Sequence, residues 1–258
     1  MQFQTLSYSQ NDGILHVKLN RPEKRNAINF QMFSDIEQCF FNVAAQPDVK
    51  VVLLSGEGKG FSAGTDLIGI SKVDGPDVRR YARQAQKAYN EIECLEKVVI
   101  ALIHGFCFGI GLEMALACDL RICSEDTLFN LPEVKVGLVP DGGASQRLPR
   151  IVGLGRAKEL ILTGDTIDAA TAERWGMVNK VVKLQDLESA GIARAKEISN
   201  NGTTATGLAK RNIDLSFSQS IYDGLEGAAT AQCLAFSDGG FRKRVEQRFS
   251  DAVKDKKA

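Results

Sequence analysis

An α/β domain that passes into an all-helical C-terminal part is the fold class predicted by this sequence of 258 residues. Three observations carry that expectation. Two short, continuous apolar runs, KVVLLS (residues 50–55) and VVIALI (98–103), have the length and lack of alternation of strands buried on both faces. Each run is followed by a glycine-broken turn and then a helical pattern, so strand, turn, helix, strand is the repeating order. Near residue 160 the strand signal gives way to helical patterns, with no linker of low complexity between the two regimes.

In chain order, ILHVKL (14–19) alternates apolar and polar residues as a half-buried strand does, and Pro22 and Asn26 break it. Residues 30–45 place Phe33, Ile36, Phe40, Val43 and Ala44 at helical intervals. After the strand 50–55, the segment GEGKGFSAGTDL predicts a sharp turn at Ala63 to Thr65. A long amphipathic helix follows over 77–95, then the strand 98–103, a glycine loop, a helix over 112–118 and a strand over 120–123. Beyond Arg150, LGRAKELILTG is helical, Asp168 is placed to cap the helix of DAATAERWGM, and helices are expected over 186–199, 204–217 and most of 221–251.

Lysine plus arginine equal aspartate plus glutamate, 32 of each, so no net charge draws the protein to nucleic acid or anionic lipid. No apolar run approaches the roughly 20 residues that span a bilayer, and MQFQTLSYSQ has neither the basic head nor the apolar stretch of a targeting segment. The six cysteines lack CxxC or metal-ligand spacing, which suits reduced thiols in a cytoplasmic protein.

The residues that carry chemistry gather around Gly105 to Asp119, GFCFGIGLEMALACD. Two readings of its glycines stand: they let a strand and a helix pack closely, or they free N–H groups near Ile110 to stabilise an oxyanion, with a second donor at Thr65. Glu113 sits among Leu112, Met114, Ala115 and Leu116, where burial should raise its pKa and make it an acid or base. Glu133 reads equally as a solvated glutamate or a functional one. Asp141, between Pro140 and Gly142, reads on local evidence as a turn residue or helix cap. His16 and His104 read as structural side chains, and Ser62 lacks the context of a nucleophile.

Five ordered segments, LNRPEKRNAIN, GFSAGTDL, IHGFCFGIGLEMALACDLRI, LPEVKVGLVPDGGASQRLPRIVG and LTGDTIDAATAERWGMVNKVV, resemble the crotonase (enoyl-CoA hydratase/isomerase) superfamily over nearly the whole chain. The resemblance implies a spiral core of strand, strand, helix units over residues 1–195 and a helical trimerisation region over 196–258. It implies a homotrimer or a dimer of trimers, and an acyl-CoA substrate in fatty acid metabolism such as β-oxidation. No metal or redox cofactor is implied, coenzyme A being part of the substrate. Carried over residue by residue, the Thr65 and Ile110 N–H groups hold the thioester oxygen. Ile110 stands where the family usually has glycine, a departure a main-chain donor tolerates. Ala63, Gly64, Asp66, Leu67, Gly109 and Gly111 flank the donors and are implied to line the substrate.

By the same resemblance, Glu113 and Glu133, twenty residues apart, match the acid–base pair of the hydratases. Asp141, eight residues after Glu133, stands where those hydratases have glycine and where dienoyl-CoA isomerases have an aspartate. Segment 80–96 also resembles the isomerases, although they carry aspartate at the position of Glu113. The expectation is therefore hydration of a 2-enoyl-CoA or a 3,5- to 2,4-dienoyl double-bond shift. The rival from another class is a CoA-thioester-binding protein without turnover.

Overall fold

Strands β1 (Leu6–Asn11), β2 (Ile14–Leu19), β3 (Val51–Gly56) and β4 (Val98–Ile103) form one side of a six-stranded sheet, in the order β1-β2-β3-β4-β6-β9. A second, three-stranded sheet has the order β5-β7-β8; β5 (Phe106–Phe108), β6 (Leu120–Ser124), β7 (Leu128–Asn130), β8 (Ile167–Asp168) and β9 (Lys180–Val182) complete the strands. This computed structural model describes residues 2–71 and 73–255. Only the β1–β2 and β7–β8 pairs are antiparallel; the others are parallel.

The apolar runs divide their side chains between two cores, as a period of two dictates. Val52, Leu54, Val99, Ala101 and Ile103 enter the larger core. Val51, Leu53, Val98, Ile100 and Leu102 enter a smaller one on the other face, closed by Leu187 and Ala195. Both strands are therefore buried on both faces, as their continuous apolar sequence requires.

The helices follow as α1 (Phe30–Ala44), the single turn α2 (Leu67–Ile70), α3 (Gly75–Glu93), α4 (Ile110–Leu116), α5 (Ala144–Val152), α6 (Leu154–Thr163), α7 (Ala169–Arg174), α8 (Leu187–Ser199), α9 (Thr203–Leu215), α10 (Ile221–Ser237) and α11 (Gly240–Asp255). Asn29 starts α1, its Oδ1 accepting from the Met32 N–H at 3.0 Å. Asp168 caps α7 as expected, accepting from the Thr171 N–H at 2.8 Å. Helix α3 lies on α1 through Phe33, whose ring meets Tyr81 edge-on at 5.0 Å and Tyr89 at 6.0 Å.

Several boundaries differ from the sequence expectation. Helix α4 begins at Ile110 rather than Leu112, because Gly109, at φ +51°, ends the extended backbone immediately before it. Helix α3 is shifted two residues toward the N-terminus, Pro76 being acceptable in a first turn where no N–H bond is needed. Asp141 caps no helix: α5 starts three residues later, at Ala144, with Gly143 in the capping position. The boundary expected at residue 195 falls inside α8, whose Leu187 and Ala195 pack on the sheet.

Candidate active site

Two backbone turns meet at the start of α4. In the first, Ile28 donates to the Gly64 carbonyl at 2.8 Å and accepts from the Asp66 N–H at 2.9 Å. These two bonds grip Thr65 from behind, and the alternation of an extended backbone then points the Thr65 N–H away from Ile28. Gly64 has φ +93°, and a Cβ there would stand 2.9 Å from the Phe108 carbonyl oxygen and 3.7 Å from the Gly109 Cα, so the two turns are in contact. In the second turn, Gly109 donates to the Asn130 carbonyl at 3.0 Å, and its own carbonyl accepts from the Leu112 and Glu113 N–H groups. The Ile110 N–H, in the first turn of the helix, is one of the groups a helix leaves without an internal acceptor.

Glu113 is 1 % exposed. Its neighbours on α4 are apolar, as the sequence shows, but its carboxylate is not left without partners. The Gly142 N–H donates to Oε2 at 2.9 Å and the Ala144 N–H to Oε1 at 2.8 Å. Burial outweighs those two bonds and raises its pKa to about 7, with the charges of Glu133 and Asp141 adding to the rise. Near neutral pH this carboxyl is thus divided between its acid and base forms.

Glu133 opens a 3-10 turn, Glu133–Val136, and is only partly exposed. A Cβ on Gly109 would stand 2.8 Å from Glu133 Oε1, which puts this carboxylate against the residue just before Ile110. Its Oε2 is buried and has no hydrogen-bond partner among the described residues. Burial, then the charge of Asp141, raise its pKa. Asp141 is also partly buried and its pKa is raised, chiefly by burial. Its main-chain carbonyl accepts from Gln86 Nε2 at 2.7 Å, and the charge of its carboxylate reaches both Glu113 and Glu133. Three carboxyl groups from three segments therefore share one field beside two turns with outward N–H groups.

The flanking positions divide by role. Gly64 and Gly109 allow the close approach of the turns, while Gly111 packs on Ser62, whose Oγ a Cβ at 111 would meet at 2.7 Å. Ser62 Oγ donates to the Asn26 carbonyl at 2.8 Å, a structural bond. Asp66 is engaged by Arg21 at 3.2 Å and heads α2. Leu67 is largely exposed, and Ala63 is fixed by its N–H bond to the Arg25 carbonyl. His104 binds the Gly58 carbonyl, and His16 pairs with Ser55, so neither joins the acids. The amides of Gly142 and Ala144 were not foreseen: main-chain donors carry no side-chain signature.

A cavity of about 680 Å³ lies at the other end of α4, lined by Asp119, Arg147, Lys210 and Phe217 among others, and none of the three acids lines it. Among the described residues, no group of three His, Cys, Asp or Glu side chains is placed to hold a metal ion, and no helix is long and apolar enough to cross a membrane.

Comparison with known proteins gives this arrangement a context. The family model described as enoyl-CoA hydratase/isomerase matches residues 9–250. A short-chain-enoyl-CoA hydratase of Clostridium acetobutylicum is 34% identical over 241 residues, covering 92% of each chain. The mitochondrial Delta(3,5)-Delta(2,4)-dienoyl-CoA isomerase of Rattus norvegicus is 37% identical over 230 residues, covering 84% of this chain and 70% of that protein. The crystal structure of an enoyl-CoA hydratase from Bacillus anthracis superimposes with a TM-score of 0.86 at 33% identity, covering 89% of this chain and 90% of the other.

Proposed function

The chain belongs to the enoyl-CoA hydratase/isomerase (crotonase) family and is an enzyme of that type acting on enoyl-CoA, and from that premise we propose that it adds water to a 2-enoyl-CoA through a thioester enolate held by the Thr65 and Ile110 N–H groups. The observation that carries this reading is the pairing of Glu113 and Glu133. One is fixed by two amides with a pKa of about 7, and the other lies against Gly109 with a buried, unpartnered oxygen.

With the thioester oxygen between the two amides, an ionised carboxylate of the pair takes a proton from water as the water oxygen bonds to C3. The C2–C3 π pair moves toward the carbonyl, and the charge collects on the thioester oxygen, where two aimed donors stabilise it; losing one donor of this kind costs about 3 kcal/mol. The other carboxyl, protonated, delivers its proton to C2, so one water has been added and the protons of the pair have changed places. Thr65 and Ile110 serve through the main chain, which is why a side chain at 110 is compatible with the role.

A second reading, a 3,5- to 2,4-dienoyl shift, is favoured by one observation: the Asp141 carboxyl lies close enough to Glu133 to raise its pKa. One acid would remove a proton from C2 and the other return one at the far end of the diene. Absorbance assays with crotonyl-CoA and a 3,5-dienoyl-CoA, on wild type and Asp141→Gly, separate the two. A hydratase keeps its activity in the variant; an isomerase loses it; wild type that binds both esters and changes neither is a binding protein instead.

Exposed apolar side chains on α10 and α11, among them Ile221, Tyr222, Leu225 and Phe241, support the expected homotrimer or dimer of trimers, which sedimentation measures. Six free cysteines fit a reducing compartment such as the cytoplasm, to be checked by fractionation.

A further inference from the structure

Helix α3 touches the backbone behind both turns. Tyr81 Oη donates to the Ile28 carbonyl at 3.2 Å, and Ile28 is the residue whose two main-chain bonds grip Thr65. Tyr89 Oη donates to the Ile110 carbonyl at 2.9 Å. Between them, Gln86 Nε2 holds the Asp141 carbonyl at 2.7 Å. The Tyr89 ring also lies against Gly142, whose N–H holds Glu113: a Cβ on Gly142 would stand 3.0 Å from Tyr89 Cε2.

Both phenols are out of solvent, at 3 % and 0 % exposure, and both meet the ring of Phe33 edge-on. Each is an acid too weak to ionise in its buried setting, Tyr89 being raised well above the usual phenol range. They are thus fixed donors, and neither exchanges protons with the substrate. A buried hydroxyl aimed at a main-chain carbonyl fixes the orientation of that residue. Two such hydroxyls on one rigid helix fix two residues relative to each other.

We propose that α3 sets the separation and aim of the two thioester-oxygen donors, with Tyr81 and Tyr89 as positioning residues behind Thr65 and Ile110. The inference rests on the oxyanion reading given above and adds the residues that hold it in register. A donor pair aimed at a developing enolate is worth more in the transition state than in the bound ester, so loosening it lowers kcat and leaves KM nearly unchanged. Packing alone makes the opposite prediction, because phenylalanine keeps the ring and its contacts.

The test uses Tyr89→Phe and Tyr81→Phe in the full chain, with whichever of crotonyl-CoA or the 3,5-dienoyl-CoA the wild type turns over. Affinity is measured for acetoacetyl-CoA, a β-keto thioester acidic enough to rest as an enolate between two donors, and for butyryl-CoA, a saturated thioester that rests as the neutral ester. Tyr89→Phe is expected to lower kcat about tenfold, the scale of one buried hydrogen bond, and to weaken acetoacetyl-CoA by the same factor. KM and butyryl-CoA affinity should move less than about twofold. Tyr81→Phe, which gives up the longer bond to Ile28 and a hydroxyl contact with the Thr65 side chain, should give the same pattern at about threefold, and it decides the matter if Tyr89→Phe does not fold. Unchanged kcat in the folded variants, whatever their melting temperature, overturns the inference. So does an equal loss of affinity for both esters. A wild type that turns over neither substrate overturns the oxyanion reading and this inference together.

Discussion

Glu113 and Asp119, six residues apart toward the two ends of α4, are a buried and a half-buried carboxyl to which the protein gives opposite partners. Glu113 is held by two neutral amides, and the charges that reach it are the like charges of Glu133 and Asp141. Asp119, just past the other end, accepts from Lys210 Nζ at 2.9 Å and the Val99 N–H at 2.7 Å; burial still raises its pKa, but Lys210, the Val99 amide and Arg121 all oppose the rise. The helix dipole runs against this contrast, favouring negative charge at the start of α4 and disfavouring it at the end, so the difference comes from the partners and not from the helix. Asp119 is given a cation; Glu113, the carboxyl that the proposed reaction asks to move a proton, is given none.

The contrast can be broken from either side. The largest effect expected is on turnover: Glu113→Gln or Glu133→Gln should each lower kcat by about 10²- to 10⁴-fold while the protein stays folded, measured by steady-state kinetics beside circular dichroism. Next comes stability at the other end. Lys210→Met leaves the half-buried Asp119 without its cation and should cost about 3 kcal/mol, the low end for a buried pair, in urea unfolding, with little change in kcat of the folded fraction.

The pH response sharpens the same point. The folded-state pKa of Glu113, about 7, lies above its ordinary value of 4.5. Between those two values the folded protein keeps a proton that the unfolded chain releases. Stability from this group is therefore full below the unfolded pKa and is lost as pH rises through 7, a fall of about 3 kcal/mol. Urea unfolding from pH 4.5 to 8 should show that slope in the wild type and lose it in Glu113→Gln. The smallest effect serves as a control at neither end: Asn29→Ala removes the cap of α1, should cost about 1 kcal/mol, and should leave kcat alone.

Legibility in the sequence followed the same physical lines. The central strands could be read because a strand buried on both faces must be apolar throughout, as in KVVLLS and VVIALI. Strand β1, LSYSQN, escaped notice because it is the outer strand, paired only with β2 and largely solvated. Strands β5, β7, β8 and β9 are two or three residues long, too short to show a period. Glu113 announced itself as a charge in an apolar helix, but its holders, the amides of Gly142 and Ala144, come from about thirty residues away and leave no mark on composition. The phenols of Tyr81 and Tyr89 fall on the buried face of α3, where a tyrosine reads as core until its hydroxyl is placed.

The enolate itself is open to direct measurement. Incubated with butyryl-CoA in D₂O, the wild type should wash deuterium into the carbon beside the thioester, seen by proton NMR, since this step is shared by hydration and by the double-bond shift. The Glu113→Gln/Glu133→Gln double variant should bind the ester and exchange nothing. Wild type that binds butyryl-CoA and leaves its C2 protons in place would contradict the account at its centre.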